Sequence, residues 1–274
     1  MPHDFHSLAQ SLSDADKPFC TATVVRSEGS ASAPAGAKAI LSETGELLFG
    51  YVGGGCVQAQ VSSEAAEALK DGKTRMIPLE LSDELGATGV PCGGRMEVFV
   101  EPHLPKARLL VLGHGRLVEA LCDLGARSGF RVTVDDPEGT RALYPSADLV
   151  VTDDPDYERL AATPRTWVVV ATHHKSDHLA IRRALDLGAA GISMVASTRR
   201  REAVFAVCRE MGIKEEALAS IRAPAGLDLG GKFPEEIALS VVCEIVAARN
   251  GGSGRPLREV KKEGAASKGH CAGA

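Results

Sequence analysis

Two cysteines in the first hundred residues are flanked by glycines, a setting in which a thiol can do chemistry. Cys56 ends the run Gly53-Gly54-Gly55-Cys56, and Cys92 lies in the run Pro91-Cys92-Gly93-Gly94. Three glycines ahead of a helix would expose consecutive backbone N–H groups as an anion-binding nest, and the helix N-terminus would favour the thiolate form of Cys56. The alternative is a tight turn with a buried cysteine. Because two such thiols occur in one short region, we interpret both as reactive and the three glycines as cofactor-binding.

A second glycine pattern lies near the middle of the chain. Leu109–Leu112 predicts a buried strand, Gly113-His114-Gly115 a turn, and the following residues an amphipathic helix. Such a turn lets the backbone approach a phosphate at the helix N-terminus, although many G-x-G turns bind nothing. Asp135 and Asp136 follow the next strand about twenty residues later, where dinucleotide folds place a ribose-binding carboxylate. The sequence therefore predicts a nucleotide-like ligand here, although Val118 replaces the third glycine of the G-x-G-x-x-G pattern.

A polar segment, Thr172–His178, follows another predicted strand. Residues just beyond the carboxyl ends of parallel strands line the ligand crevice, so His173 and His174 are interpreted as ligand contacts, with Asp177 facing the same site. The alternative is that Ser176 or Asp177 only caps the next helix. A zinc site is not favoured, because a third and a fourth ligand are missing.

The elements that would position these residues predict an α/β chain of two domains. Residues 1–104 predict a smaller α+β domain, and residues 105–250 alternate strand and helix, which is typical of a Rossmann-type parallel sheet. The boundary lies in the proline-containing linker at 101–106, and residues 251–274, rich in Gly, Ser, Lys and Ala, predict a disordered tail. The predicted helices are 4–16, 57–70, 116–128, 177–187, 199–211 and 234–248; the predicted strands are 19–26, 38–41, 47–52, 95–100, 109–112, 131–134, 147–151, 167–171 and 191–195.

The composition and the net charge argue against several classes of protein. A net charge of −5 argues against a nucleic-acid partner. No apolar run approaches the length of a membrane span, and no secretion signal is evident, so a cytoplasmic protein is expected. The seven cysteines are odd in number and form no C-x-x-C pair, which argues against a disulfide framework.

Several segments taken together resemble the XdhC/CoxI family of xanthine dehydrogenase accessory proteins. The resemblance covers nearly the whole chain except the tail. It is carried by the glycine- and serine-rich Gly29–Gly36, the two cysteine motifs, the Gly113 turn, Thr172–Asp177, Ser197–Arg200 and, most specifically, the segment APAGLDLGGKFPEEIALS at Ala223–Ser240.

This resemblance implies a maturation factor for a molybdenum hydroxylase of the xanthine dehydrogenase or carbon monoxide dehydrogenase type. Such a factor would bind molybdenum cofactor, as molybdopterin or its cytosine dinucleotide form. It would assist sulfuration of the cofactor with a cysteine desulfurase and insert it into the apoenzyme. It implies a cofactor-binding chaperone more than a turnover enzyme, and a homodimer is expected.

Two other functions stay open from the residues. An NAD(P)-dependent oxidoreductase would use Asp135 or Asp136 on the ribose and His173 as proton donor, but no Tyr-x-x-x-Lys donor pair is present. A non-catalytic nucleotide-binding scaffold would not need Cys56 or Cys92.

Overall fold

The computed structural model describes residues 4–81, 94–172 and 176–260. It divides into two compact units, Met1–Lys106 (unit 1) and Ala107–Ala274 (unit 2). Cys92, His173 and His174 lie outside the described residues, and so does the part of the predicted tail beyond residue 260.

Unit 1 is a five-stranded antiparallel sheet with two helices. Its strands follow the order β3-β2-β1-β5-β4. The elements are α1 (Phe5–Asp14), β1 (Phe19–Glu28), β2 (Lys38–Ser42), β3 (Leu47–Gly50), α2 (Cys56–Asp71), β4 (Arg75–Leu81) and β5 (Gly94–His103).

The core of unit 1 lies between one face of this sheet and α2. Val57, Val61 and Ala65 of α2 are fully buried against strand residues such as Ala22 and Val98. Alternate strand residues point to one face, so every second side chain of β1 and β5 enters this core. The smaller α+β domain that the sequence predicts is therefore confirmed.

One strand of unit 1 is absent from the sequence predictions. β4 contains Pro78 and lies at the sheet edge, paired only with β5. Proline cannot donate to a strand ladder and is tolerated at an edge, so pairing with a long neighbour forms a strand where local sequence gives little signal.

Unit 2 is a five-stranded parallel sheet in the order β10-β9-β6-β7-β8. Counted along the unit, this order is 5-4-1-2-3, the arrangement of a Rossmann sheet. The elements are β6 (Arg108–Gly113), α3 (Arg116–Arg127), β7 (Arg131–Asp135), a 3-10 turn (Arg141–Leu143), β8 (Leu149–Val151), β9 (Thr166–Ala171), α4 (Asp177–Asp186), β10 (Gly191–Met194), α5 (Thr198–Glu210), α6 (Glu215–Ala219) and α7 (Pro234–Asn250).

Helices cover both faces of the parallel sheet. α3 and α7 share one core with Leu109 and Val111 of β6, whereas α4 and α5 share the opposite core with Leu110 and Leu112. Strands buried on both faces are continuous apolar runs, which explains why β6 and β9 were predictable from sequence. The Rossmann-type domain is confirmed, and α6 is a short addition that the sequence analysis did not predict.

The two helices on the α3 face run in the same direction. Nε of Arg116, at the start of α3, lies 2.5 Å from Oε1 of Glu235 in the first turn of α7. At the other end, Arg249 of α7 donates to the carbonyl of Ser128, the C-cap of α3, at 3.5 Å. Both N-termini therefore lie at the carboxyl edge of the sheet. In the described part of the chain, no helix is long and apolar enough to cross a membrane.

Candidate functional site

The glycine turn after β6 has the geometry of a phosphate cradle. A Cβ at Gly113 would lie 2.4 Å from the carbonyl oxygen of Ala171 on β9, and Gly113 has a φ of +137°. Gly115, with a φ of +86°, is the N-cap of α3 and accepts from the backbone N–H groups of Val118 and Glu119. Among the described hydrogen bonds, the backbone N–H groups of Arg116 and Leu117 at the start of α3 have no protein acceptor, and the helix dipole favours an anion there.

Val118 does not prevent close packing of α3 on the sheet. Its side chain is fully buried in the core on that face. Close approach is provided two turns later by Gly125, where a Cβ would lie 2.5 Å from Cδ2 of Leu109. The missing third glycine is thus replaced by a different small residue on the same helix.

The two acids after β7 are both buried, but in different settings. Asp136 accepts from the hydroxyl of Tyr144 at 2.6 Å and from the backbone N–H of Glu138 at 3.2 Å. Asp135 is fully buried, and neither of its carboxylate oxygens has a hydrogen-bond partner among the described residues. Burial, followed by the neighbouring Asp154 carboxylate, raises the pKa of Asp135 to about 7. Asp135 is thus the carboxyl group that a ligand donor would satisfy.

The surroundings of Asp135 include two residues that the sequence analysis missed. Asp154 is buried and accepts from the backbone N–H groups of Glu158 and Arg159, at 3.0 and 2.9 Å. Burial, followed by the Asp135 carboxylate, raises the pKa of the buried Tyr157 to about 12. Tyr157 also has a positive φ of 58°, which is unusual for a tyrosine. Neither residue belongs to a motif, so only the tertiary structure brings them to the acid.

The segment after β9 is held by an ion pair that the sequence analysis interpreted differently. Arg200 donates from Nε to Oδ2 of Asp177 at 2.8 Å and from Nη2 to Oδ1 at 2.7 Å, and it also donates to the carbonyl of Thr172. Asp177 is 4% exposed and accepts from the Thr172 hydroxyl as well. Asp177 is therefore paired inside the fold rather than facing a ligand, and Arg200 anchors this segment.

The helix after that segment is not capped as the alternative interpretation expects. Ser176 precedes α4 with a left-handed φ of 68° and makes no side-chain capping hydrogen bond, so that part of the alternative is wrong. Ser197 caps α5, accepting from the N–H of Arg200 at 3.2 Å.

In unit 1, three of the sequence motifs meet around one loop. A Cβ at Gly53 would lie 2.7 Å from the hydroxyl oxygen of Ser32, which belongs to the Gly29–Gly36 segment. A Cβ at Gly94 would lie 2.8 Å from the carbonyl oxygen of Ser30 in the same segment. One glycine of each cysteine motif, Gly53 and Gly94, is therefore needed for close packing against this loop.

Cys56 is the exposed cysteine of this region. It is the first residue of α2, directly after Gly55, and its side chain is exposed, so the buried-cysteine alternative is wrong for Cys56. Cys20 and Cys122 are buried, and burial raises the pKa of each thiol to about 12. Within 4–81, 94–172 and 176–260, no group of three or more His, Cys, Asp and Glu side chains could hold a metal ion.

The segment Ala223–Ser240 crosses the carboxyl edge of the parallel sheet. It starts beside β10, where the N–H of Ala225 donates to the carbonyl of Met194 at 3.0 Å, and it ends in α7 beside Arg116. Two of its glycines fit tightly: a Cβ at Gly226 would lie 2.3 Å from the hydroxyl oxygen of Ser240, and a Cβ at Gly231 would lie 2.5 Å from Cβ of Glu236. The segment is therefore a folded wall beside the glycine turn.

Comparison with known families agrees with this architecture. The model of the XdhC Rossmann domain matches residues 109–245, and the model of the XdhC and CoxI family matches residues 12–80. The chain belongs to the XdhC and CoxI family. The first match covers the parallel sheet and its helices through most of α7, and the second covers unit 1 up to the end of β4.

Three known proteins are similar to this chain over most of its length. It is 30% identical over 257 residues to the uncharacterized protein YqeB of Escherichia coli K12, covering 90% of this chain and 46% of that relative, so it spans about half of that relative's length. It is 25% identical to a protein of Bacillus subtilis 168 described as a probable xanthine dehydrogenase component, over 90% of this chain and 98% of that protein. It is 23% identical to the molybdenum cofactor insertion chaperone PaoD of E. coli K12, over 83% and 82% of the two chains.

Proposed function

We propose that this protein is a maturation factor for a molybdenum hydroxylase. It would bind molybdenum cofactor, take part in its sulfuration and deliver it to the apoenzyme, with a cysteine desulfurase as sulfur source and a homodimer as the working form. The likeness to PaoD, a molybdenum cofactor insertion chaperone, supports the coarse role, and membership of the XdhC and CoxI family supports it further.

The observation that carries the proposal is the cradle at Gly113–Gly115. The cofactor is an anionic pterin with a phosphate or pyrophosphate group, and its metal centre supplies the hydroxylation chemistry of the client once inserted. The residues present fit that phosphate, because Gly113 leaves no room for a Cβ beside Ala171 and the N–H groups of Arg116 and Leu117 at the start of α3 have no described acceptor. His114, exposed within the turn, is positioned to contact the same group.

The acids after β7 would bind polar groups of the ligand or hold the loop beside them. Asp135 has two buried oxygens that lack partners among the described residues, so a ligand hydroxyl or amine that donates to them would offset the cost of burying this group. Asp136 would support the same loop through Tyr144. His173 and His174 are proposed as further contacts from their sequence position alone, since they lie outside the described residues.

The thiols would act at the end of the cofactor that carries its terminal sulfur. Cys56 is exposed at the first position of α2, where a ligand can reach its sulfur, and cysteine sulfur is a soft ligand for a metal–sulfur centre. Cys92 is proposed as its partner on the sequence motif. The protein's contribution would be to bind, orient and shield the cofactor, and to hold or pass sulfur through these side chains.

The test is to purify the full chain from a molybdenum-replete host and to identify and quantify its bound cofactor by mass spectrometry. Gly113→Ala should reduce the bound cofactor at least tenfold, because the added methyl meets the Ala171 carbonyl. Gly188→Ala is the matched control, since Gly188 also has a positive φ, of 65°, but no atom within 4 Å of its Cβ position.

The thiols are tested on the same preparation. Cys56→Ala should leave cofactor bound while reducing activation of a co-expressed apo molybdenum hydroxylase. A wild-type protein that carries no pterin, or that retains NAD(P)H and turns over a carbonyl compound, would overturn the proposal in favour of an oxidoreductase.

A further inference from the structure

A cavity of about 370 Å³ lies in the wall formed by the Ala223–Ser240 segment. Its volume falls within the range of small-molecule sites. Its lining combines apolar side chains and two glycines with the side chain of Ser240 and three charged side chains, those of Asp228, Lys232 and Glu236.

The position of the cavity connects it with the glycine turn. In open α/β sheets, ligands bind outside the carboxyl ends of the strands. The segment leaves the carboxyl end of β10 at Ala225 and reaches the start of α7, whose Glu235 pairs with Arg116, the residue after the Gly113–Gly115 turn. The cavity therefore extends along the edge at which the phosphate cradle opens.

Most of the polar groups in this wall already have structural roles. Glu236 accepts from the backbone N–H groups of Lys232 and Phe233, at 2.8 and 3.1 Å. Glu244 accepts from the N–H of Gly226 at 3.1 Å, and Ser240 donates to the carbonyl of Ile237 at 2.9 Å. These bonds hold the loop in place. The carboxylates of Glu236 and Glu244 are both engaged by backbone N–H groups of the loop.

Two other charged side chains of the cavity take no part in such contacts. In the part of the chain that the structure describes, neither the Asp228 carboxylate nor the Lys232 ammonium has a hydrogen bond or ion pair. The ring of Phe233, next to Lys232, is 70% exposed. Asp228 and Lys232 are both exposed and line the cavity, and Phe233 follows Lys232 on the same loop, whose backbone is held in place.

The Asp228 carboxylate and the Lys232 ammonium together match the hydrogen-bonding edge of one type of heterocycle. A 2-amino-4-oxopyrimidine ring, as in pterin or guanine, presents two adjacent N–H donors and then a carbonyl oxygen. A carboxylate accepts two parallel N–H bonds in a bidentate pair, as it does from arginine, and an ammonium donates to the carbonyl oxygen. Cytosine presents a donor beside an acceptor, so it cannot form the same pair with a carboxylate.

We propose that this cavity binds the 2-amino-4-oxopyrimidine ring of the ligand whose phosphate is held at Gly113–Gly115, with Asp228 as the specificity-determining acceptor. The inference rests on the proposed function, because it assigns the heterocyclic end of the same ligand. Asp228 accepts from the ring N–H and the exocyclic amine, and Lys232 donates to the carbonyl oxygen. Phe233 stacks on the exposed ring face.

The experiment is a set of titrations of the full chain with 6-hydroxymethylpterin, GMP and CMP, followed by calorimetry or by pterin fluorescence. The wild-type protein should bind 6-hydroxymethylpterin or GMP at least tenfold more tightly than CMP. Tighter binding of 6-hydroxymethylpterin identifies the pterin ring as the source of this edge, whereas tighter binding of GMP identifies a guanine nucleotide.

Variants test the role of Asp228 directly. Asp228→Asn should weaken the preferred probe at least tenfold, because an amide offers one acceptor where two are needed and turns a donor toward the ring. Asp228→Glu should recover most of the binding, and Asp156→Asn, an exposed acid outside the cavity lining, should change nothing. Equal binding of CMP, equal binding by Asp228→Asn, or no binding of either 2-amino-4-oxo probe at millimolar concentration would overturn the inference.

The two proposals fail in distinguishable ways. If the wild-type chain carries molybdenum cofactor but Asp228→Asn binds the probes normally, only the cavity assignment is wrong. If Asp228 controls probe binding but no molybdenum cofactor accompanies the purified chain, the maturation role is wrong and the heterocycle site stands.

Discussion

At the scale of single residues, the structure distinguishes side chains of the same type by their burial and their hydrogen bonds. Asp135 and Asp136 are adjacent, yet Asp136 is bonded by Tyr144 and by backbone, whereas Asp135 is buried without a partner among the described residues. Cysteines divide in the same way, since Cys56 is exposed and Cys20, Cys122 and Cys208 are buried. Reactivity therefore follows environment rather than residue type.

The cysteine contrast gives a first prediction. Brief treatment of the native protein with iodoacetamide should modify Cys56 and leave Cys20 and Cys122, because burial both raises their thiol pKa to about 12 and blocks the reagent. Peptide mass spectrometry checks this site by site, and treatment in denaturant is the control in which all of them react. Equal labelling of Cys20 and Cys56 in the native state would contradict the burial described here.

Asp135 gives a second prediction, on pH dependence. Its pKa is raised to about 7, so the folded state holds a proton that the unfolded state loses near pH 4, and the free energy of unfolding should fall as pH rises from about 4 to 7. Asp135→Asn removes this dependence. Relative to wild type it should gain stability between pH 5 and pH 8, with about 4 kcal/mol as the upper bound from the linkage.

Denaturant melts of both proteins at pH 5 and pH 8 measure that difference, and Asp156→Asn is the exposed control with no expected pH effect. A wild-type stability that rises over this interval would show that Asp135 is paired in solution.

At the scale of elements, short connections after the strands determine the site. The glycine turn after β6 needs the close approach of Ala171 on β9, and the segment after β9 is fixed by Arg200 from α5. Three elements that are distant in sequence therefore define one edge. The same holds in unit 1, where the Gly29–Gly36 loop packs against glycines of both cysteine motifs.

The Arg200 contact gives a third prediction. Arg200→Ala leaves the buried Asp177 without its ionic partner, and breaking such a pair costs about 3–5 kcal/mol of unfolding free energy. Arg199→Ala, which removes an exposed arginine one residue earlier, should change stability by less than about 0.5 kcal/mol. Urea unfolding of both variants is the measurement, and equal effects would contradict the anchoring role.

At the scale of the whole molecule, the chain consists of two units with their own cores. One apolar cluster lies entirely in unit 1, and two others lie in unit 2 on the two faces of its sheet. Only residues 104–107 separate the last strand of unit 1 from the first strand of unit 2. Each unit therefore buries enough apolar surface to be expected to fold independently.

This organisation gives a fourth prediction. Residues 107–274 expressed alone should give a cooperative thermal transition by circular dichroism, and trypsin should cut the native chain at Lys106, in the linker, before it cuts within either sheet. A fragment starting at residue 131, which lacks β6 and α3, is the control that should not fold. A fragment 107–274 without a cooperative transition would show that unit 2 depends on unit 1.

The fold class and most of the elements follow from the amino-acid sequence alone. The apolar runs of β6 and β9 and the glycines at 113 and 115 are local signals, because a strand buried on both faces and a turn with positive φ each restrict which residues can stand there. Pro234 and the two acids after it marked the start of α7 for the same reason.

Which polar side chains are available to a ligand depends on the packing of segments that are distant in sequence. The Arg200–Asp177 pair, the Asp154 neighbour of Asp135 and the edge strand β4 all depend on contacts between distant segments. Hydrogen-bond partners and burial are set by packing, and local sequence does not encode them. Packing left the Asp135 oxygens and the Asp228 carboxylate without partners in the described chain, and those groups carry the two ligand proposals.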